Sequence, residues 1–434
     1  MCVGYKTEIV QNIIICFVND CANVFILWHN GVFSSSTELA KMKPNLLEFI
    51  ALKSMLILVL ISSMLLILHC NAAVIVQRDN FNLTNDRPII GVLSQEQSVY
   101  LHSKYPEENY TSYIAASYVK DIEAAGARVV PILIGKDRDY YKELMSKLNG
   151  VFFPGGATYF NQSDGYADAG QHIYEIAIEL NDAGDYFPVF GTCLGFELLI
   201  ILASGRGEEE NRITCYSYSN LPLDFEDDFR TSKMFAEAPE DIVQILTNED
   251  VTVNAHQFCI VDKNLQSHNL DKDWRVTSHG DDDYGVQFIA SIEHKRYPFY
   301  GVQFHPEKSS FEWKLSKKYP HSFNAIKANR YFMDFFVREC RRNHHSFASA
   351  SEENKYVIYN YEPRFTGVLG SAYHQCYFFE PQEPNQMRKL YRYPIIESYD
   401  NDGDADDIFL EVPKLVDFQG EIIVLQMVAQ TWLS

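Results

Sequence analysis

The stretch Phe187-Pro-Val-Phe-Gly-Thr-Cys-Leu-Gly-Phe-Glu-Leu-Leu-Ile-Ile201 joins two apolar segments through a short turn bracketed by glycines. The first segment is typical of a buried strand, and the second is typical of the start of a buried helix. Gly-x-Cys-x-Gly at this junction is a nucleophile elbow with cysteine in the nucleophile's place, so Cys193 is the candidate nucleophile. We expect the helix N-terminus to lower the pKa of its thiol. A buried structural cysteine fits the same five residues, and that alternative stays open.

Apolar runs and amphipathic segments alternate on both sides of this turn. The pattern predicts strands at 88–93, 128–134, 150–153 and 187–190, separated by helices at 113–125, 140–148 and 168–181. These strands are rich in Val, Ile and Phe without polar alternation, as a sheet covered on both faces requires. The sequence therefore predicts an α/β fold, a flavodoxin-like doubly wound and mostly parallel sheet flanked by helices.

The pattern changes after residue 250. Strands are predicted within 251–260 and 286–304, and the second range is expected to add a β-hairpin to the sheet. A last amphipathic helix is predicted at 323–341. We expect its buried stripe to contain Phe323, Ile326, Phe332, Phe335 and Phe336.

The charge balance excludes some classes of partner. The 434 residues contain 37 Lys and Arg against 58 Asp and Glu, which gives a formal net charge of −21. Nucleic acids and anionic membranes attract basic surfaces, so neither is expected as a partner. An anionic substrate would need locally placed positive charge.

The N-terminal region carries a targeting signal. Lys53 precedes an apolar run at 55–68, and small residues follow it, as in a cleaved signal peptide; a membrane anchor would need a longer run. We therefore expect an N-terminal extension at 1–53, a signal peptide at 54–73, a catalytic domain at 74–380 and an acidic appendage at 381–434. No stable membrane anchor is expected after cleavage.

Three sequons follow the predicted signal, and their acceptor residues are Asn82, Asn109 and Asn161. Together with the signal they predict a glycoprotein that is secreted or lysosomal. The cysteines after the signal are Cys193, Cys215, Cys259, Cys340 and Cys376. Their odd number is not that of a disulfide framework, and the absence of CxxC pairs or His/Cys clusters predicts no metal site.

A second motif supplies a base for the candidate nucleophile. His305 ends an apolar strand, and Glu307 stands two residues later, which on an extended chain returns it to the same side. A carboxylate that accepts one imidazole N–H fixes the tautomer and leaves the other nitrogen free to take the proton of Cys193.

A third motif, Phe153-Pro-Gly-Gly156, ends a strand upstream of the elbow. Strand C-terminal ends share one edge of a parallel sheet, where ligands bind. The backbone N–H groups of Leu194, Gly155 and Gly156 are therefore candidates for an oxyanion hole.

The three motifs, in this order, resemble those of the class I glutamine amidotransferase superfamily. Within it the chain resembles the γ-glutamyl hydrolases, which act on folate polyglutamates, and the resemblance covers residues 87–380. It implies that Cys193 is the nucleophile, His305 the general base and Glu307 its orienting carboxylate. It further implies that Glu197 lies at the substrate site and that His256 is a second important histidine.

The activity implied by this resemblance is hydrolysis of the γ-glutamyl amide bonds of folate poly-γ-glutamates through a thioester on Cys193. The resemblance implies a homodimer, and it implies no cofactor. Two alternatives stay open: a glutamine amidase that supplies ammonia to a partner, and a catalytically inactive secreted binding protein. Recognition of the glutamate tail requires Arg or Lys near the cleft, and the sequence does not place them.

Overall fold

The computed structural model describes residues 84–381 except 106 and 107, together with short strands at 13–17, 24–28, 31–32, 415–416 and 422–423. The chain divides into two compact units, Met1–Pro381 and Gln382–Ser434. The predicted signal peptide at 54–73 and the sequon at Asn82 lie outside the described residues. No helix in the described ranges has both the length and the apolar character needed to cross a membrane.

The strands between residues 89 and 379 are numbered in chain order. They are β1 (Ile89–Leu93), β2 (Gln95–Glu96), β3 (Ser112–Ala115), β4 (Arg128–Ile132), β5 (Val151–Phe153), β6 (Val189–Thr192), β7 (Ile213–Ser217), β8 (Asn220–Leu221), β9 (Asp224–Phe225), β10 (Thr252–Val253), β11 (His256–Cys259), β12 (Trp274–Asp281), β13 (Gln287–His294), β14 (Phe299–Val302) and β15 (Cys376–Phe379).

The helices are numbered in the same way. They are α1 (Val99–Lys104), α2 (Ala116–Ala124), α3 (Arg138–Met145), α4 (Tyr166–Asp182), α5 (Leu194–Ser204), α6 (Glu208–Asn211), α7 (Glu240–Asn248), α8 (Asp262–Ser267), α9 (Lys308–Phe311), α10 (Phe323–Cys340) and α11 (Ala350–Glu353).

An eight-stranded sheet in the order β9-β12-β13-β14-β6-β5-β1-β4 forms the centre of the fold. The strands from β14 to β4 are parallel, whereas β9, β12, β13 and β14 pair antiparallel. Helices cover both faces: on β1, Ile90 and Val92 belong to one hydrophobic cluster, and Ile89 and Leu93 belong to the other. The predicted α/β fold with its β-hairpin addition is therefore confirmed.

Two local predictions are wrong. Residues 113–115, predicted as the start of a helix, belong to strand β3, because Tyr113 pairs with Phe378 of the distant strand β15. Helix α2 therefore begins only at Ala116. Phe323, predicted in the buried stripe, is 79% exposed, because it is the first residue of α10 and the buried face begins at Ala325.

The parallel strands bring the three motifs to one edge of the sheet. In the register between β6 and β14, Thr192 lies opposite Val302, so Cys193 and the segment after Val302 leave the sheet at the same level. On the other side of β6, Phe153 lies opposite Gly191, which places the Pro-Gly-Gly turn beside the elbow.

Candidate active site

Cys193 lies in a strained turn between β6 and α5. Its backbone has φ 51° and ψ −112°, which is unusual for a residue with a side chain, and its N–H donates to the carbonyl of Val302 at 2.7 Å. A Cβ at Gly195 would lie 2.0 Å from the carbonyl oxygen of Phe153, so the close approach of α5 to the sheet requires glycine there. The predicted nucleophile elbow is therefore present.

His305 is held by its backbone and by its ring. Its N–H donates to the carbonyl of Val253 at 2.8 Å, and its ring Nδ1 lies 2.9 Å from Oε1 of Glu307. The hydroxyl of Tyr118 lies 3.2 Å from the same ring nitrogen. All three side chains are buried. With Nδ1 engaged in this way, Nε2 is the ring nitrogen left for proton transfer.

The Pro-Gly-Gly turn brings the nucleophile and the histidine together. A Cβ at Gly155 would lie 3.1 Å from Cβ of Cys193, 2.8 Å from Cε1 of His305 and 2.6 Å from the hydroxyl of Tyr118. The two candidate catalytic side chains thus converge on the space in front of Gly155. Within the described part of the chain, the N–H groups of Gly155 and Gly156 donate to no backbone carbonyl.

Glu197 lies one helical turn after Cys193 and is buried. Its Oε1 accepts a hydrogen bond from Nε2 of Gln303 at 3.0 Å, and the same Nε2 lies 3.9 Å from Sγ of Cys193. Its Oε2 pairs with Nη1 of Arg212 at 2.6 Å. Gln303 therefore links Glu197 to the sulfur, and Arg212 forms an ion pair with the carboxylate, against the burial that raises the pKa of Glu197.

His256 begins strand β11 and is 5% exposed. Its ring packs edge-on against Phe288, with centroids 4.9 Å apart, and neither ring nitrogen makes a well-formed hydrogen bond within the described residues. Burial and the nearby His305 lower its pKa to about 4, against weaker contributions from the carbonyls of Cys215 and Phe258. His256 is thus a buried imidazole near His305 that stays neutral down to a pH of about 4.

The sequence predicts that the helix N-terminus lowers the pKa of the Cys193 thiol. This prediction is wrong, because the sum of all effects raises that pKa. Burial, followed by the Glu197 carboxylate, raises the pKa of Cys193 above its ordinary value. The positive charge of Lys308 and the N–H of Leu194 act in the opposite direction but are outweighed. The resting sulfur is therefore a thiol, which has to lose its proton to a base when it reacts.

The neighbouring charges favour a neutral base. Burial and then Lys308 lower the pKa of His305, against the opposing effect of Glu307. Burial alone would raise the pKa of Glu307, but His305 and Lys308 outweigh it, and the net pKa is lowered. Nζ of the buried Lys308 lies 3.6 Å from Oε1 of Glu307. An ionised Glu307 beside a neutral His305 is the arrangement that proton abstraction requires.

Sequence reasoning assigned no role to four residues of this site, Tyr118, Gln303, Lys308 and Arg212. Gln303 and Lys308 belong to the Gly-Val-Gln-Phe-His-Pro-Glu-Lys motif, which could have drawn attention to them. Tyr118 and Arg212 lie on distant segments without a local signal, and only the fold brings them to the site.

The remaining predicted features lie away from the catalytic group. Asn109 and Asn161 are exposed. A disulfide joins Cys215 to Cys259, whereas Cys193, Cys340 and Cys376 are free and buried. In the described residues no group of three or more His, Cys, Asp or Glu side chains could hold a metal ion.

Comparisons with known proteins agree with the motifs. The Peptidase C26 family matches residues 88–307. The gamma-glutamyl hydrolase of Homo sapiens is 39% identical over 317 residues, which cover 72% of this chain and 96% of that protein. The enzyme of the same name from Bos taurus is 40% identical over 68% of this chain and 91% of its own length. Gamma-glutamyl hydrolase B of Dictyostelium discoideum is 35% identical over 70% and 86%. This chain therefore belongs to the γ-glutamyl hydrolases of the Peptidase C26 family.

Proposed function

We propose that this chain hydrolyses the γ-glutamyl amide bonds of folate poly-γ-glutamates, with Cys193 as nucleophile and His305 as general base. The observation that carries the proposal is the convergence of Cys193 and His305 in front of Gly155, with Glu307 at 2.9 Å from the histidine. Membership of the γ-glutamyl hydrolase family supports the choice of bond. The folate substrate rests on the resemblance described above.

The reaction begins with a neutral thiol on Cys193 and a neutral imidazole on His305. His305 Nε2 takes the proton of the Cys193 thiol as the sulfur attacks the γ-carbonyl carbon, and a tetrahedral intermediate forms. Glu307 stabilises the imidazolium that results, since its lowered pKa keeps it ionised. His305 therefore carries the additional proton only between the deprotonation of Cys193 and the departure of the amine.

A negative charge develops on the carbonyl oxygen in the transition state, and hydrogen-bond donors are needed to stabilise it. The N–H groups of Leu194, Gly155 and Gly156 are the proposed oxyanion hole, since they belong to the two backbone turns that flank Cys193. Collapse of the intermediate expels the amine, which takes the proton from His305. Water, deprotonated by the same imidazole, then attacks the γ-glutamyl thioester and releases the acid and the free thiol.

Glu197 and His256 are proposed to support this chemistry without exchanging covalent bonds. Glu197 holds Gln303, whose Nε2 faces the sulfur at 3.9 Å, so we propose that it positions the side chain that donates to Cys193. The neutral imidazole of His256, buried near His305, is proposed to help position the substrate.

Cellular location and assembly remain proposals. The predicted signal peptide and the sequons favour a secreted or lysosomal protein, and exposure of Asn109 and Asn161 is compatible with glycosylation. A homodimer is proposed from the family resemblance alone, and the boundaries of the catalytic domain and the C-terminal appendage remain predictions.

Release of glutamate from folate pentaglutamate at acidic and neutral pH tests the proposal. We expect the wild-type chain to cleave the substrate and Cys193→Ala to be inactive. Cys340→Ala is the matched control, because Cys340 is also a free, buried cysteine but lies on α10. A folded wild-type chain that releases neither glutamate nor oligo-γ-glutamate would refute the proposal, and ammonia release from glutamine would then favour the amidase alternative.

A further inference from the structure

A groove of about 350 Å³ lies beside the catalytic group. Its lining includes Lys317, Lys318, Tyr319, Val253 and Asn254. One residue of this lining is bonded directly to the proposed base, because the Val253 carbonyl accepts a hydrogen bond from the backbone N–H of His305 at 2.8 Å. The groove is therefore attached to the strand end that positions the base.

A second connection runs through aromatic rings and the buried Lys308. The ring of Tyr319, which lines the groove, lies 5.8 Å from Nζ of Lys308. The same Nζ lies 4.6 Å from the ring of Tyr373, whose hydroxyl is 3.4 Å from the carbonyl oxygen of Gly155. Positive charge and aromatic surface thus extend from the groove to the turn in front of Cys193.

The groove concentrates positive charge on a strongly acidic protein. The chain carries a formal net charge of −21, yet Lys317 and Lys318 lie side by side and are both exposed. Nζ of Lys317 lies 5.4 Å from the ring of Tyr218, and neither lysine forms an ion pair within the described part of the chain. One acidic side chain also lies at this wall: the Asp283 carboxylate accepts hydrogen bonds from the hydroxyl of Ser219 at 2.6 Å and from the N–H of Tyr218 at 3.3 Å.

A buried amide on the groove wall independently indicates a ligand. Asn254 is 4% exposed, and its Nδ2 donates to the carbonyl of Thr252 at 3.1 Å. Its Oδ1 is buried and accepts no hydrogen bond from the described residues. A buried acceptor without a donor is unfavourable, and a ligand N–H would satisfy it.

We propose that this groove binds the poly-γ-glutamate chain of the substrate. A γ-linked glutamate chain presents one α-carboxylate and one amide N–H in each repeat. Lys317 and Lys318 pair with the α-carboxylates, and Oδ1 of Asn254 accepts a hydrogen bond from an amide N–H. The inference rests on the proposed function, which it deepens by naming the residues that recognise the length of the tail.

The test uses charge reversal on the full chain. Lys317→Glu/Lys318→Glu is compared with Lys142→Glu/Lys263→Glu, which changes the net charge equally at exposed lysines on α3 and α8. The kcat and KM are measured with folate pentaglutamate and folate diglutamate, and the Kd of free penta-γ-glutamate is measured by calorimetry. We expect the groove variant to raise KM for the pentaglutamate and the Kd about tenfold, with a smaller effect at high salt.

The same variant should raise the KM for the diglutamate by a smaller factor than the KM for the pentaglutamate, because the shorter tail presents fewer α-carboxylates to the two lysines. The control variant should change none of these values. Equal effects in both variants, or an unchanged KM for the pentaglutamate in the groove variant, would overturn the inference while an active wild type upheld the hydrolase. If the wild type binds penta-γ-glutamate through these lysines but cleaves nothing, the groove stands and the proposed function fails.

Discussion

Nδ1 of His305 lies 2.9 Å from Oε1 of Glu307, and both side chains are buried. Glu307→Gln keeps the shape of the side chain but removes the charge that fixes the tautomer and stabilises the imidazolium. We expect kcat to fall roughly 10³-fold. Tyr118→Phe removes the neutral partner of the same nitrogen, and we expect a loss of less than about tenfold, as for one neutral hydrogen bond. Steady-state kinetics with circular dichroism as a folding check would measure both, and equal losses would contradict the assigned role of Glu307.

The pH dependence should reflect the lowered pKa of His305. Protonated imidazole cannot accept the thiol proton, so kcat/KM should fall as the pH drops through the pKa of His305, below its ordinary value of 6.5. Lys308→Met removes a charge that lowers this pKa, and we expect the acidic limb to move to higher pH. Lys314→Met is the control, since Nζ of Lys314 bonds to the carbonyl of Gly370 instead. An unmoved limb in Lys308→Met would rule out this electrostatic coupling.

The space in front of Gly155 should not tolerate a methyl group. Gly155→Ala would place Cβ 2.8 Å from His305 and 2.6 Å from the hydroxyl of Tyr118. The imidazole must then move, and we expect kcat to fall about 10²-fold, as small misplacements of catalytic groups do. Gly207→Ala is the matched control, because a Cβ there meets nothing within 4 Å. Wild-type kcat in a folded Gly155→Ala variant would disprove the proposed convergence.

The disulfide between Cys215 and Cys259 should stabilise the part of the fold that carries His256. It closes a sequence separation of 44 residues between strands β7 and β11. On the loop-entropy scale, Cys215→Ser/Cys259→Ser should lower the free energy of unfolding by about 4 kcal/mol. Denaturant titration with and without reductant would measure this. The reductant should destabilise the wild type and leave the double variant unchanged, and the opposite pattern would exclude the bond.

His256 should make the fold less stable in acid. Its pKa is lowered from 6.5 to about 4 in the folded chain, so the unfolded chain binds the proton first as the pH falls. The contribution of neutral His256 to the free energy of unfolding is complete above pH 6.5 and is lost as the pH falls to 4. The free energy of unfolding should fall by about 3 kcal/mol over this range because of His256. We expect His256→Asn to flatten the fall in unfolding free energy across that range, whereas His102→Asn, at an exposed position, should not. If the unfolding free energies of the wild type, His256→Asn and His102→Asn depended on pH in the same way, the lowered pKa of His256 would be contradicted.

The candidate catalytic group was largely predictable because its members lie in short motifs. Cys193 stands in a turn whose glycines are visible in the sequence, and His305 and Glu307 are separated by one residue. The start of α2 was not predictable in this way. Tyr113 has a side chain compatible with helix or strand, and its pairing with Phe378 decides between them.

The sequence by itself determined the alternation of strands and helices, the elbow at Cys193 and the order of the motifs, because these depend on residues that are neighbours along the chain. Only the tertiary structure decided that Arg212 pairs with Glu197, that Tyr118 reaches His305 and that Lys317 and Lys318 flank the groove. It also reversed the expected pKa shift of Cys193. Burial and through-space charge set these properties, and both depend on residues far apart in sequence that the sheet brings together.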